Sequence, residues 1–447
     1  MNEQKLIIGI QERPKNIGHW IVLSLQHVFA MVGATVLVPL LTGLDTGVAL
    51  VASGIGTIIY IICTKGKVPV YLGSSFAYIT AISVSAAALG GSFASAYLGL
   101  MIVGVIYMII AMIIRFTGSG WLKNILPPVV IGPMIIIIGM TLAPTAVEQS
   151  GLMGVDSLLS AGMYGGIDHA IQGLGWKVPL VAISTFAIVV VVSILAKGFW
   201  KIIPFVLAML GGYALAAILG LIDWSTFSEI NLFQIPNFSF IGTYKLDFSA
   251  VLMFIPLAFV TIAEHIGDHT VLGEICDKDF ITDPGLSKTL LGDGLATFVS
   301  AAIGGPANTT YGENTGVIAI SRVGSVYVTG LAAVFAILLG FLGYIQAFFS
   351  SIPWAVIGGM TIILYGLIAG NGVKVMIKNN VDLGNMKNLI IVSTMLVIGL
   401  GGAFIVLSSS SDGSAVSTLS GMSLAAIVGI VLNMILNFKN VFHKKNN

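Results

Sequence analysis

The feature that most constrains this chain is a succession of apolar stretches as long as a bilayer is thick. Crossing a hydrocarbon core of about 30 Å takes roughly 20 apolar residues in a helix. The chain reaches that length repeatedly, as in "WIVLSLQHVFAMVGATVLVPLL" (20–41). Only 9% of the 447 residues are charged, far too few to clothe a water-facing surface of this size. An all-α polytopic membrane protein is therefore expected. The stretch "MNEQKLIIGIQERPKN" is polar with a short apolar interruption and lacks the form of a signal peptide. A net charge of +1 offers no footprint for nucleic acid. Cys63 and Cys276 are too few for a disulfide framework and are expected to stay unpaired.

Fourteen transmembrane segments are expected. The first seven fall near 18–42, 46–64, 69–88, 92–116, 124–146, 178–197 and 200–222. The second seven fall near 248–271, 286–303, 307–322, 324–349, 353–370, 386–408 and 417–438. Basic residues test this count, because cytoplasmic loops hold the Lys/Arg excess. Of the 20 Lys and Arg, all but Lys177 and Lys245 fall on one side, so both termini are expected in the cytoplasm. Seven is odd, so the second half starts on the opposite side, as two inverted 7-span repeats require.

The third span of each half departs from the rest. "VPVYLGSSFAYITAISV" (68–84) and "GPANTTYGENTGVIAISRV" (305–323) both open on Pro or Gly with small polar residues and an aromatic. Both end as an apolar half-segment, so an extended stretch leading into a half-helix is expected. Non-helical backbone at membrane depth is tolerated only inside protein or beside an aqueous cavity. Paired stretches of this kind at matching positions point to a carrier's binding site, with half-helix N-termini aimed at the ligand.

Four of the 19 acidic residues lie inside the spans: Glu264, Asp268, Asp293 and Glu313. Each is costly in a membrane and so a functional candidate. In "AFVTIAEHIGDHTVLG" (258–273), Glu264 and Asp268 share a helix face at i and i+4, and His265 and His269 form a second such pair. Two carboxylates on one face repel if both ionise. A carboxylate that takes and loses a proton near neutral pH is what a proton-coupled carrier needs. "EHIGDH" lacks the H-E-x-x-H order and has no second ligand cluster, so no metal is expected. No Walker A sequence is present, so no nucleotide cofactor is expected either. Asp293, between glycines in "LLGDGLATF", reads as a residue capping or solvating a helix start. Gln26 and His27 read as structural groups that hydrogen-bond a neighbouring helix.

These same residues carry a family resemblance. "ENTGVIAISR" (313–322) resembles the signature of the nucleobase–ascorbate transporters, and "SLQHVFAM" (24–31), "YLGSSFAYI" (71–79), "IAEHIG" (262–267) and "DPGL" (283–286) are similar to its uracil-carrying bacterial branch. The likeness runs over essentially the whole chain. It implies a core domain from 1–120 (spans 1–4) and 226–350 (spans 8–11). It implies a gate domain from 121–225 (spans 5–7) and 351–447 (spans 12–14 and a cytoplasmic tail). Short antiparallel strands are implied in spans 3 and 10, and the family leaves room for a homodimer through the gate domain.

The implied substrate is uracil, carried across the cell membrane with a proton. Glu264 would accept from the ring N–H, and Gly312 and Glu313 would offer backbone N–H groups to the carbonyl oxygens. The Glu313 side chain would take another ring N–H. Phe76 would supply a backbone contact and a ring edge, Tyr311 packing, Ala34 close approach, and Tyr365 closure from the gate. Glu264, Asp268 and Glu313 are the implied proton-coupling groups. Asp268 stands where uracil carriers can have histidine and purine carriers have aspartate, which leaves a xanthine or purine substrate open. Sodium stays open as the coupling ion. Of the rival classes, a channel would need a continuous polar stripe along several helices. An anion exchanger would need a positive site where carboxylates stand. An enzyme would need a nucleophile–base pair, which nothing here resembles.

Overall fold

The computed structural model describes residues 6–88, 91–152, 175–228, 230–239, 244, 251–409 and 415–437. Lys245 and the tail after residue 437 lie outside the described residues. Helix α1 (Ile17–Thr42) starts where the Asn16 side chain accepts from the N–H groups of Gly18 and His19 at 2.8 and 3.2 Å. Asp45 caps α2 (Thr46–Cys63) in the same way, accepting from Val48 N–H at 2.8 Å. Each cap satisfies donors that the first helical turn leaves without a partner.

Strand β1 (Leu72–Ser74) follows, and a 3₁₀ turn at Phe76–Tyr78 leads into α3 (Ile79–Ala88). Next come α4 (Ala94–Thr117), α5 (Gly120–Ile125), α6 (Pro128–Thr141) and α7 (Ala143–Gln149). Helices α8 (Lys177–Leu195) and α9 (Pro204–Ile218) complete the first part of the chain. The second part runs through α10 (Phe254–Cys276) and α11 (Leu286–Ala302) to β2 (Asn308–Thr310) and α12 (Gly312–Ser321). It continues with α13 (Val326–Gly340), α14 (Gly343–Ser350), α15 (Trp354–Lys378) and α16 (Met386–Leu400). Strands β3 (Phe404–Ser409) and β4 (Ala415–Ser420) form a hairpin before α17 (Gly421–Leu436).

The chain is a mostly helical, multi-pass membrane fold. Among the described residues, six helices are long and apolar enough to cross a bilayer. Large apolar side chains such as Phe116, Ile194, Leu195, Ile218 and Val397 stay exposed on the outside, as lipid-facing positions do. Cys63 and Cys276 are both free. One difference from the sequence reading lies at 386–408: the helix stops at Leu400 and "FIVLSS" continues as β3. An apolar window cannot distinguish a strand from a helix by hydropathy alone.

Close helix packing rests on missing side chains. A Cβ on Gly54 of α2 would sit 2.4 Å from the Ala333 carbonyl oxygen of α13. A Cβ on Gly104 of α4 would sit 2.6 Å from the Gly294 carbonyl oxygen of α11. Without a hydrophobic drive between helices in lipid, such backbone contact is what holds them together.

The two odd stretches meet. β1 and β2 pair antiparallel with Leu72 opposite Thr310, Gly73 opposite Thr309 and Ser74 opposite Asn308. Further backbone groups of this short sheet find partners on α2 and α11. Leu72 N–H donates to Thr57 Oγ1 at 2.9 Å, its carbonyl accepts from Ser53 Oγ at 2.6 Å, and Asn308 O accepts from Thr297 Oγ1 at 3.0 Å. The Asn308 amide donates to the Ala52 and Ala296 carbonyls at 3.2 and 3.3 Å. A strand pair can thus persist among helices because protein, not lipid, surrounds it.

Candidate functional site

The strand pair holds two half-helices, α3 and α12, in place. Tyr311 locks the junction on the second side. Its N–H donates to Tyr71 O at 3.2 Å and its hydroxyl donates to Ser74 O at 3.0 Å. Thr35 Oγ1 of α1 donates to the Tyr311 hydroxyl at 3.2 Å. A Cβ on Gly73 would stand 2.3 Å from the Tyr311 ring, so the ring lies flat against bare backbone. Ala34, Tyr311 and Tyr365 belong to one buried apolar cluster, with Phe76 packed on its edge. Phe76 and Tyr365 meet edge to face with ring centroids 6.4 Å apart.

At the start of α12, Gly312 is exposed and Glu313 is partly buried. A Cβ on Gly312 or Gly316 would meet no atom within 4 Å, so the helix N-terminus borders open space. Glu313 and Gly316 line a cavity of about 190 Å³ whose wall includes Phe29, Phe205 and Lys201. Asn314 points the other way. Its amide donates to His27 Nδ1 and to His27 O, both at 3.1 Å, tying α12 to α1. His27 is buried and serves as an inter-helix partner.

Helix α10 brings Glu264 and Asp268. Tyr78 bonds Thr261 at 2.7 Å and stacks on Phe254, which fixes α10 against the other half-helix. Glu264 and Asp268 are both partly buried, and Thr310 Oγ1 of β2 donates to Asp268 Oδ2. Glu264 lies within electrostatic range of Asp268, Asp293 and Glu313, so the four intramembrane carboxylates of the sequence gather in one region. Phe76, Tyr311, Gly312 and Glu313 directly follow the two strands, Ala34 and Tyr365 share the buried cluster of Tyr311, and Glu264 lies on α10.

Asp293 differs from its sequence reading. It does not cap a helix start: it sits inside α11, with no exposed surface, and its Oδ2 is 2.8 Å from His265 Nδ1. His265 and His269 are likewise fully buried, with ring centroids 4.0 Å apart. His269 Nδ1 donates to the His265 carbonyl at 2.7 Å, and its Nε2 bonds the Tyr60 hydroxyl of α2. The sequence marked the two histidines as an i,i+4 pair but gave no sign of Tyr60, whose partner lies 209 residues away. A larger cavity, of about 560 Å³, lies at the far end of α10 and touches none of the predicted substrate-binding residues.

Residues 18–407 match the model of the Permease family, most of the chain. The chain belongs to that family. It is 44% identical to the uracil permease of Bacillus subtilis (strain 168) over 441 residues, covering 98% of this chain and 96% of the relative. It is 38% identical to the uracil permease of Escherichia coli (strain K12), covering 97% of this chain and 95% of that one. Among solved structures, the murine solute carrier 26 family member A9 anion transporter in its inward-facing state has a TM-score of 0.68 at 12% identity. That alignment covers 96% of this permease and 69% of the transporter. The last likeness concerns the fold alone.

Proposed function

We propose that this permease takes up uracil across the cell membrane together with a proton, by alternating access. The observation that carries the reading is the meeting of two half-helices beside Glu264 and Glu313, with the Gly312 backbone bordering open space. Uracil is planar and neutral, with two N–H donors and two carbonyl acceptors. Carboxylates and helix N-terminal N–H groups are its complement, and a ring N–H bonded to a carboxylate is the stronger kind of hydrogen bond. In this reading Glu264 and the Glu313 side chain take the ring N–H groups, while Gly312 and Glu313 N–H groups take the carbonyl oxygens. Phe76 and Tyr365 cover the ring from opposite domains, with Tyr311 and Ala34 shaping its floor. The names of the relatives agree with this substrate.

Fourteen spans in two inverted sevens make up the proposed architecture. The helix contacts support it: α2 packs on α13, and α4 packs on α11. Those are spans 2 with 11 and 4 with 9, which an inverted repeat interchanges. The core would comprise 1–120 and 226–350, and the gate 121–225 and 351–447, with both termini cytoplasmic and the gate available for a homodimer.

Neutral uracil feels no membrane potential, so its accumulation needs a coupled ion. One proton descending 100 mV supplies about 2.3 kcal/mol, or about fifty-fold accumulation. Glu264, Asp268 and Glu313 are the groups proposed to carry it. The test is radiolabelled uracil uptake by cells lacking their own uracil carrier, with 5-fluorouracil and xanthine as competitors. Micromolar affinity is expected, about −8 kcal/mol, with 5-fluorouracil competing and xanthine far weaker. Equal competition by xanthine would move the substrate to the purines, with Asp268 the residue responsible. Uptake that never exceeds equilibration would make the protein a passive facilitator.

A further inference from the structure

We propose that Tyr60, His269, His265 and Asp293 form the proton path between the cytoplasmic side and the carboxylates of the substrate site. The proposal rests on the uracil–proton reading above and extends it to residues that reading does not use. The four groups come from α2, α10 and α11, and none has exposed surface. Buried ionisable groups within membrane spans are costly and are kept where they serve a proton or ion route.

The hydrogen bonds fix which nitrogen of His269 exchanges its proton. A carbonyl oxygen only accepts, so His269 Nδ1 carries its proton toward His265 O and the ring loads and unloads at Nε2. The Tyr60 hydroxyl bonds that nitrogen, donating when it is bare and accepting when it is protonated. His265 Nδ1 faces Asp293 Oδ2 at 2.8 Å, while His265 Nε2 and Asp293 Oδ1 have no hydrogen-bond partner among the described residues. A buried polar atom without a partner is unusual enough to need a reason. Here the bare Nε2 is where a proton would arrive. The proton released from His269 Nε2, whose ring centroid is 4.0 Å from that of His265, forms the N–H bond at His265 Nε2 while the bond at Nδ1 breaks and its proton passes to Asp293 Oδ2. One proton enters the ring and one leaves.

Both ends of the array lead somewhere. His269 borders the 560 Å³ cavity without being exposed to it, next to Thr270, and the rim carries exposed Glu274, Asp277, Lys278 and Asp279. The sequence places that rim in the cytoplasm. At the other end, Asp293 and Glu313 both lie within electrostatic range of Glu264 and Asp268. Among the described residues, Tyr78 and Tyr107 lie within electrostatic range of Asp293, and Cys63 of Tyr60.

The test uses the full-length protein reconstituted in vesicles, with His269→Gln and His265→Asn. Gln places an amide near Nε2, and Asn keeps an N–H toward Asp293, but neither can relay a proton. Both variants are expected to bind and exchange uracil as the unmodified protein does. The initial rate of uptake driven by a pH gradient should fall by about a hundredfold, the scale of a lost proton-transfer group, and its pH profile should flatten. Normal accumulation with a normal pH profile in either variant that binds uracil would overturn the path. A parallel loss of binding and accumulation in both would also overturn it, leaving a purely structural role. If the unmodified protein exchanges uracil without moving protons, the path falls and the uracil reading stands. If it neither binds nor exchanges uracil, both fall.

Discussion

Asn308 offers a direct test of what holds the strand pair between the helices. Its side chain is buried, and its amide nitrogen donates to Ala52 O and Ala296 O at 3.2 and 3.3 Å. Asn308→Ala removes two neutral hydrogen bonds. At about 0.5–1.5 kcal/mol each, the loss is about 1–3 kcal/mol. Asn308→Asp keeps the shape but has no donor to offer, so two carbonyl oxygens would face a carboxylate. A buried charge without a partner costs about 3–5 kcal/mol, so the near-isosteric change should be the worse one. Thermal unfolding in detergent, with and without uracil, reads the order: unmodified above Ala above Asp. Since β2 leads into Gly312 and Glu313, uracil should protect both variants less. An Asp variant as stable as the Ala variant would refute the argument, because the donors of Asn308 would then not be what anchors the strand.

Three further outcomes are expected. Glu264→Gln should abolish pH-driven accumulation while some binding survives at a loss of about 1–3 kcal/mol; Glu313→Gln should be milder, because part of that position's contribution is its backbone N–H. Vesicle binding and uptake assays separate the two, and normal accumulation by Glu264→Gln would shift the proton role to Asp268 or Glu313. Tyr365→Ala should impair uptake in protein that still inserts, measured as transport per inserted molecule, and full uptake would remove Tyr365 from the site. A reporter active only outside the cytoplasm, fused after Asn447, should stay silent; a bright signal would overturn the span count.

What the sequence made legible follows from which constraints are local. Segment length is imposed by the bilayer, so α1, α2 and α4 lie close to where hydropathy puts them. The third-span stretches stood out because Pro, Gly and small polar residues are a poor helix start. The residues there are the ones that pair as β1 and β2. The spacing of Glu264 and Asp268 is likewise a property of one helix. Asp293 resembles a helix-start residue in sequence because its neighbours are glycines, while its partner His265 lies 28 residues away on another helix. Tyr60 carries no local signal for the same reason. Pairings across helices leave no trace in a single local pattern, and the chemistry of the buried array depends on them entirely.

The polar and aromatic contacts between core and gate bear on how such a carrier could move. In the proposed division, Lys378 of α15 bridges Glu274 of α10, with both side chains about half exposed (47% and 56%). Exposed ion pairs are worth about 0–1 kcal/mol because water competes for both partners. The edge contact between Phe76 and Tyr365 contributes about 0.5–1.5 kcal/mol beyond its buried area. Neither is a lock: together they amount to no more than what a few charge-assisted hydrogen bonds to a bound base could offset. Within the core, by contrast, α2 meets α13 and α4 meets α11 backbone to backbone, and the strand pair is bonded to α2 and α11 by side chains. Backbone-to-backbone contacts lie within the proposed bodies, whereas core and gate also meet through buried side chains, with Ser423 Oγ donating to Met253 O at 3.0 Å and Tyr365 in the apolar cluster of Ala34 and Tyr311. That distribution suits rigid-body motion of gate against core, with Tyr365 riding on one body and Glu264, Gly312 and Glu313 held on the other.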